Sequence, residues 1–290
     1  MEHPFIRTGP LLELRSYPQW LQEIVTDCSD ARRAVLDHDL FRLMQAGALP
    51  AHSMRNFLVG LWPVIEQFPQ YMAMNLLKVQ YGIAPGHSMA RRYLIRNIRV
   101  EQNHGEYWVE WAQGHGIDSD ELLFGWRSSS ADALSHWCWH TCERDPLPVA
   151  MVATNYAIEG VTGEWAALVC NSSAYESGFA MDVRKKAMKW LRVHAHYDDT
   201  HPWEALEIIA TLINEHPNSR DIAAVRFGIR RSYDYMRMAF DDCLAGDRRS
   251  NQCGGEGDDC KGAGDRAHVV PHRPRPTVCL PLSGQIVGGQ

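Results

Sequence analysis

Apolar residues recur through residues 1–245 at spacings of three and four, the period of a helix with one buried face. The pattern predicts helices over residues 18–27, 30–46, 50–81, 87–115, 130–143, 147–171, 180–199, 201–215 and 219–244. The alternation of β-branched and polar residues that is typical of strands is nearly absent. We therefore expect an all-α bundle, a fold that places ligand and metal sites between facing helices.

The composition changes after residue 245. The last aromatic residue of the chain is Phe240, and residues 246–290 are rich in glycine and proline. A segment of this composition buries too little apolar surface to offset the entropy lost on ordering. The sequence thus predicts a helical domain over 1–245 and a disordered tail over 246–290, whose three cysteines fit no zinc-binding spacing.

Charge and cysteine usage exclude several classes of protein. The 290 residues carry a net charge of −6, which argues against nucleic-acid binding. The longest mostly apolar stretch, 147–170, contains Glu159 and Glu164, so a membrane span is disfavoured. The eight cysteines are irregularly spaced and no secretory signal opens the chain. We expect a cytoplasmic protein with reduced thiols.

The predicted helix over 147–171 is apolar on almost every side, which indicates burial. Glu159 within it is therefore expected to enter the core, whereas Glu164 points about 140° away. A buried carboxylate requires a partner, a proton or a metal. Glu159 is either a metal ligand or the partner of a neighbouring basic side chain.

A second candidate is the pair Glu101 and His104, which are three residues apart and so share one helix face. A Glu-x-x-His pair directed inward forms half of the metal site in carboxylate-bridged di-iron bundles. Both residue types are also common on solvated helix faces, so the spacing alone leaves that alternative open.

A third candidate is the series His194, Asp198 and His201, which an α-helix places within a stripe about 60° wide. Three ligand-type side chains on one stripe could address one metal cluster. Pro202 predicts that the helix bends or breaks at His201, because proline disfavours helical backbone in the residue before it.

His136, His140 and Glu143 have the same spacing and serve as an internal comparison. A helix end is predicted directly after them, at Arg144-Asp145-Pro146. We interpret this triplet as part of a surface helix and not as a functional metal site.

Six residues form the predicted site, and none of them is a thiol. They are Glu101, His104, Glu159, His194, Asp198 and His201. Carboxylate and imidazole donors suit iron or manganese better than structural zinc. Six protein ligands exceed what one catalytic metal with open positions needs, so the set predicts two metal ions.

Longer runs of the sequence resemble the heme-oxygenase-like di-iron oxygenases, and within them the UndA-type fatty-acid decarboxylases. The matching runs are RTGPL at 7–11, WPVIEQF at 62–68, RNIRVE at 96–101, LSHWCWH at 134–140, ATNYAIEG at 153–160 and the motif from Tyr197 to Ile208. The resemblance covers residues 5–245 and implies a seven-helix heme-oxygenase-like bundle of the TenA/PqqC type, without heme. It also places the family's metal ligands on the same six residues.

The resemblance implies a reaction as well as a fold. It implies that two Fe(II) ions and O₂ convert a medium-chain fatty acid, such as dodecanoic acid, into a 1-alkene and CO₂. Hydrogen is abstracted from the β-carbon, and an external donor supplies electrons. The alternatives are another di-iron oxygenase acting on an amino-acid-like substrate, a metal-free thiaminase-like hydrolase, or a non-catalytic iron-binding helical protein.

Overall fold

The computed structural model of the chain describes residues 5–197, 200–214 and 216–245. Two of the sequence predictions fall outside these described residues, namely the position of Asp198 and the tail over 246–290. All regular secondary structure in the described residues is helical, which confirms the predicted all-α class.

Fifteen α-helices, one 3₁₀ turn and one π-helical segment make up the described chain. The 3₁₀ turn is Leu14–Ser16, and the π-helical segment is Val152–Ile158. The α-helices are α1 (Gln19–Asp27), α2 (Ser29–Leu36), α3 (Asp39–Gln45), α4 (Ala51–Leu77), α5 (Pro85–Glu101), α6 (His104–Gly114), α7 (Ser119–Phe124), α8 (Ser129–Arg144), α9 (Leu147–Met151), α10 (Glu159–Cys170), α11 (Ser173–Ser177), α12 (Met181–Ala187), α13 (Lys189–Tyr197), α14 (His201–Ile213) and α15 (Ser219–Leu244).

Several predicted helices are divided into two segments. The helix predicted over 30–46 breaks after Leu36, where His38 Nδ1 accepts a hydrogen bond from the Leu40 N–H at 3.2 Å and so begins α3. The helix predicted over 87–115 breaks after Glu101, between α5 and α6. Hydrophobic periodicity reports which side chains are buried and not whether the backbone hydrogen bonds continue, so it does not reveal these breaks.

Two glycines end helices by adopting a left-handed backbone. Gly47 follows α3 with φ 66° and Gly116 follows α6 with φ 75°. Side chains with a Cβ disfavour this region, whereas glycine enters it at little cost. The helix ends predicted near these two glycines are therefore confirmed.

Helix α4 is 27 residues long and continues through Pro63 and Pro69. Its central part, from Leu61 to Phe68, provides one wall of the cavity described below. None of the helices in the described ranges has both the length and the apolar composition that crossing a membrane requires.

The centre of the bundle is a cluster of aromatic side chains from six helices. Edge-to-face and stacked rings join them, with centroids 4.6–6.2 Å apart. Such pairs contribute about 0.5–1.5 kcal/mol beyond the burial of apolar area. The members are Phe41, Phe57, Trp108, Trp111, Trp165, Trp190 and Phe240, each at most 2% exposed.

A close approach between α10 and α14 brings two predicted site residues together. A Cβ built on Gly160 would lie 3.2 Å from Pro202 Cβ, so the absence of a side chain at residue 160 permits the contact. Glu159 and His201 are the residues directly before Gly160 and Pro202 in the chain. The packing of this glycine against the proline therefore positions Glu159 beside His201.

The two glycines of α6 provide a matched test of the packing between α6 and α12. A Cβ on Gly114 would lie 2.7 Å from the Ala187 Cβ, and alanine has no alternative rotamer that would relieve this clash. A Cβ on Gly105 would lie 3.8 Å from Trp62, which is an ordinary contact distance. We expect Gly114→Ala to lower the free energy of unfolding by about 1–3 kcal/mol through overpacking. Gly105→Ala is expected to be neutral or to stabilise by up to about 1 kcal/mol. Urea unfolding followed by circular dichroism measures both, and equal effects would contradict the α6–α12 packing.

Candidate metal centre

Glu101 and His104 lie at the junction of α5 and α6, where Glu101 is the last residue of one helix and His104 the first of the next. Both side chains are buried, with 7% and 2% exposure. Glu101 Oε2 and His104 Nδ1 are 2.6 Å apart, yet the geometry at this nitrogen is not that of a hydrogen bond. The two side chains are therefore close enough to address the same ion.

Glu159 follows the π-helical segment as the first residue of α10. Its Oε1 accepts a hydrogen bond from His201 Nδ1 at 3.2 Å, and its Oε2 accepts from Asn155 Nδ2 at 3.2 Å and from the Tyr93 hydroxyl at 3.4 Å. π-Helical turns inside α-helices are frequent at functional sites. These three donors from three different elements hold the carboxylate in one orientation.

Burial and the neighbouring charges act on the protonation of this pair in opposite directions. Burial raises the pKa of Glu159, and the nearby Glu101 carboxylate raises it further, while His201 opposes the rise. Burial alone would lower the pKa of His201, but the hydrogen bond and negative charge of Glu159 outweigh that effect and raise it. Both shifts favour a proton on the Glu159–His201 pair, and a metal ion that binds there has to displace it.

His194 enters the site from α13. Its Nδ1–H donates a hydrogen bond to the Trp190 carbonyl oxygen at 2.8 Å, and its ring stacks on the Trp190 ring with centroids 3.7 Å apart. A bond from one ring nitrogen to a backbone carbonyl is typical of metal-ligating histidines, because it makes the other nitrogen the acceptor. The ring centroid lies 4.5 Å from that of His104. Burial, and then the proximity of His104, lower the pKa of His194, which keeps the ring neutral.

The structure places five of the six predicted residues in one buried region, as two groups. Glu101, His104 and His194 form one group, and Glu159 and His201 form the other. The sixth residue, Asp198, lies outside the described residues. Within the described part of the chain, no set of three His, Cys, Asp or Glu side chains is arranged to hold an ion as it stands. The assignment of all six as ligands thus remains a prediction.

His136, His140 and Glu143 are all exposed on α8. They have the same spacing as His194, Asp198 and His201, but they are exposed whereas His194 and His201 are buried. This observation agrees with their interpretation as part of a surface helix.

A narrow cavity of about 50 Å³ adjoins the site. Glu101, His104, Glu159 and His194 line one part of it. The remaining lining is almost entirely apolar and comes from six elements: Leu61, Val64, Ile65, Phe68, Leu134, Ile158, Thr162, Trp165, Trp190, Met236 and Phe240. The cavity therefore joins a polar part, lined by carboxylates and imidazoles, to an apolar part.

Sequence reasoning did not identify three residues that organise the site. Asn155 and Trp190 each precede by four residues the ligand candidate that they contact, Glu159 and His194 respectively. That spacing could have indicated them. Tyr93, by contrast, reaches Glu159 from a different helix, and no local pattern predicts such a contact.

The described donors fit iron. The five side chains supply only carboxylate oxygens and imidazole nitrogens, a donor set suited to non-heme iron. His194 and His104 lie ring to ring, and His104 Nδ1 is buried without a hydrogen-bond partner in the described structure. A buried polar atom of this kind is expected where a cation completes the arrangement.

The chain is similar to one known protein family and to several solved structures. The model of a family described as iron-containing redox enzymes matches residues 55–236. A TenA homolog from Pseudomonas syringae pv. tomato str. DC3000 is 50% identical, with a TM-score of 0.82 and a match covering 83% of this chain and 99% of that one. No curated protein matches the sequence.

Two more distant solved structures share the fold alone. A domain of unknown function with a heme oxygenase-like fold from Shewanella denitrificans is 13% identical, with a TM-score of 0.62, and the match covers 83% of this chain and 98% of that one. A putative TenA-like thiaminase from Sulfolobus solfataricus is 13% identical, with a TM-score of 0.58 and coverage of 77% and 95%. The predicted heme-oxygenase-like, TenA-like fold is thus confirmed.

Removal of one imidazole tests the site directly. We expect His194→Ala to weaken iron binding at least about tenfold, because a lost ligand costs no less than a lost supporting contact. His136→Ala, which removes an exposed histidine of α8, should bind iron as the wild type does. Iron retained after anaerobic Fe(II) loading and desalting measures both. Loss of iron in His136→Ala together with retention in His194→Ala would contradict the predicted site and show that iron binds at α8.

The protonated Glu159–His201 pair predicts a pH dependence. Since the pKa of His201 is raised, protons compete with the metal, and iron affinity should rise as the pH increases through that pKa. His194 stays neutral over the same range and adds no proton competition. Replacement His201→Gln should therefore flatten the dependence of iron affinity on pH between about pH 6 and 8. If iron affinity depends on pH as steeply in His201→Gln as in the wild type, the proton that iron displaces is not on His201.

Proposed function

Since the chain belongs to the family of iron-containing redox enzymes, we propose that it is a non-heme di-iron oxygenase that decarboxylates medium-chain fatty acids. The products are a terminal 1-alkene and CO₂. The observation that carries the proposal is the cavity in which buried carboxylates and imidazoles line one part and aliphatic and aromatic side chains line the rest. A fatty acid has the same division between a carboxylate and an apolar chain.

The electron balance of this reaction explains the need for a reductant. Loss of CO₂ and of two hydrogen atoms from a fatty acid yields the alkene and releases two electrons and two protons. Reduction of O₂ to two molecules of water consumes four of each. An external donor must therefore supply the other two electrons, as the sequence resemblance also implies.

Glu101, His104, Glu159, His194 and His201 are the described side chains that would hold iron, and Asp198 is the sixth candidate. Bound iron would supply the O₂-dependent oxidation that no amino-acid side chain provides. Asn155 and Tyr93 fix the orientation of Glu159, and the Trp190 carbonyl fixes the tautomer of His194. The protein thereby holds the donor atoms in place before the substrate binds.

The apolar walls position the substrate chain and exclude water from it. Leu61, Val64 and Phe68 of α4 face the cavity together with Met236 and Phe240 of α15. Burial of hydrocarbon contributes about 0.8 kcal/mol per methylene group. A chain of medium length is thus bound mainly by its tail, and a carboxylate held at the polar end places the β-carbon next to the metal site.

Thiaminase-like hydrolysis is the principal rival, because similar structures include a putative TenA-like thiaminase. Such hydrolysis requires a nucleophilic cysteine in the pocket. Among the described residues no cysteine lines the cavity. Burial also raises the pKa of Cys142 to about 11 and that of Cys243 to about 12, which disfavours the reactive thiolate. These observations support the oxidative reaction over the hydrolytic one.

The remaining alternatives differ in substrate or in turnover. An amino-acid-like substrate would need polar partners for its ammonium group along the cavity, whereas the walls beyond the site are almost entirely apolar. A non-catalytic iron-binding protein would take up iron without consuming a fatty acid. Both alternatives are separated from the proposal by a product assay.

We expect the protein, loaded anaerobically with Fe(II) and given dodecanoic acid, a reductant and O₂, to release 1-undecene. Gas chromatography of the headspace measures the alkene. Glu159→Gln keeps the size of the side chain but removes its charge and should abolish the product, while His136→Ala should retain it. Consumption of O₂ without alkene in the wild type would reject the decarboxylase. Cleavage of thiamine by iron-free protein would favour the hydrolytic rival.

A further inference from the structure

A series of aromatic side chains connects the candidate metal centre to the protein surface. His194 stacks on Trp190, and the Trp190 ring lies 5.5 Å from the Trp111 ring at an angle of 22°. Trp111 Nε1–H donates a hydrogen bond to the Tyr175 hydroxyl at 2.7 Å, and the same hydroxyl lies 2.7 Å from His115 Nε2. Four of these residues are buried, namely His194, Trp190, Trp111 and Tyr175, whereas His115 is exposed.

We propose that Trp190, Trp111 and Tyr175 form a hole-transfer chain that carries oxidising equivalents from the metal centre to His115 at the surface. The inference rests on the proposed reaction of iron with O₂. It adds a function to the site, which is the removal of oxidising equivalents that would otherwise persist when no fatty acid is bound. Tryptophan and tyrosine are the aromatic side chains that lose an electron most readily.

The hydrogen bonds along the series determine where the oxidising equivalent comes to rest. Trp190 Nε1 is buried and has no hydrogen-bond partner in the described structure, so an oxidised Trp190 retains its proton and remains a strong oxidant. Tyr175, by contrast, has a basic nitrogen within hydrogen-bond distance of its hydroxyl. Because loss of the phenolic proton stabilises oxidised tyrosine, the hole is expected to stop at Tyr175.

His115 is suited to accept that proton. Trp111 already donates to the Tyr175 oxygen, so the phenolic hydrogen is directed either to His115 Nε2 or to the Met54 sulfur, which lies 3.7 Å away and is a weak acceptor. Although one edge of His115 reaches solvent, desolvation of the rest of the ring lowers its pKa to about 4, so the ring is neutral at pH 7 and releases readily a proton that it accepts from the strongly acidic oxidised phenol. An exposed imidazole then returns the proton to solvent.

Each step of the transfer is balanced. If bound iron supplied an oxidant, Trp190 would give up one electron to it, Trp111 would restore Trp190 with one electron, and Tyr175 would restore Trp111 with one electron. Tyr175 passes its proton to His115 and becomes a neutral tyrosyl radical. A reductant in solution then restores Tyr175 with one electron, and a proton returns from solvent through His115. The net change is one electron moved from the reductant to the metal centre.

The other aromatic contacts of Trp190 do not provide an equivalent outlet. Trp165 stacks on Trp190 at 5.4 Å and next on Phe41, which resists oxidation. Trp108 donates its N–H to the Leu58 carbonyl oxygen, which is not a base. Of these branches from Trp190, the one through Trp111 ends at a proton acceptor exposed to solvent.

Electron paramagnetic resonance tests the proposal in the iron-loaded protein. Substrate-free protein is mixed with O₂ and frozen on a series of timescales, and Mössbauer spectra of the same samples report iron oxidation. We expect a tyrosyl radical in the wild type that is lost in Tyr175→Phe and persists in Tyr71→Phe, a matched removal of a buried hydroxyl. Trp111→Phe should also abolish the radical. Oxidation of iron without a radical that depends on Tyr175 would overturn the proposal.

An iron-free experiment keeps the proposal independent of the oxygenase assignment. An ultraviolet flash ionises tryptophans in the apo-protein, and transient absorption follows the transfer of the hole from tryptophan to tyrosine. We expect the tyrosyl yield to fall in Tyr175→Phe and to be unchanged in Tyr71→Phe. His115→Gln, which keeps a hydrogen-bonding side chain but not a base, should lower the yield, whereas His136→Gln should not. Equal yields in Tyr175→Phe and the wild type would reject the chain even if iron reacts with O₂.

Discussion

The burial of an acidic carboxylate among apolar helices is the constraint on which this structure depends. Glu159 is 4% exposed and stands next to a second buried carboxylate, Glu101. Removing such a group from water is unfavourable unless hydrogen bonds, a proton or a cation compensates. His201, Asn155 and Tyr93 supply the hydrogen bonds, and they come from three elements that must meet at one point. The α10–α14 contact brings His201 to Glu159, and the π-helical segment carries Asn155 four residues before it.

This constraint also separates the polar and apolar parts of the cavity. His194 is held by a hydrogen bond to its own helix, Glu159 and His201 are held by a hydrogen bond between α10 and α14, and Glu101 and His104 lie side by side at the junction of α5 and α6. The opposite walls, from α4, α8 and α15, contribute aliphatic and aromatic surface. An amphiphilic ligand thus has one favourable orientation, since reversal would place its carboxylate against apolar walls. Orientation of this kind, rather than strong binding as such, would determine which carbon is oxidised.

Much of the fold was predictable because helical periodicity and glycine positions are local properties of the sequence. Glu159 could be recognised as buried because the residues around it are apolar on every side of the helix. The break between Glu101 and His104, the π-helical segment and the hydrogen bond from Tyr93 were not predictable in this way. The break and the π-helical segment are changes in backbone hydrogen bonding that hydrophobic periodicity does not report. The hydrogen bond from Tyr93 joins elements distant in the chain. Asp198 lies outside the described residues, so its predicted role remains a prediction.

The aromatic core has two physical consequences that oppose each other. Trp190 packs against His194 and shields the candidate site, and shielding strengthens the electrostatic interactions within it. The same packing surrounds the candidate metal centre with side chains that are readily oxidised. A core of aliphatic residues would avoid that exposure to oxidation but would lose the stacking that orients His194. A hydrogen-bonded tyrosine at the end of the tryptophan series reconciles the two, because damage is then directed to a residue that solution reductants can restore.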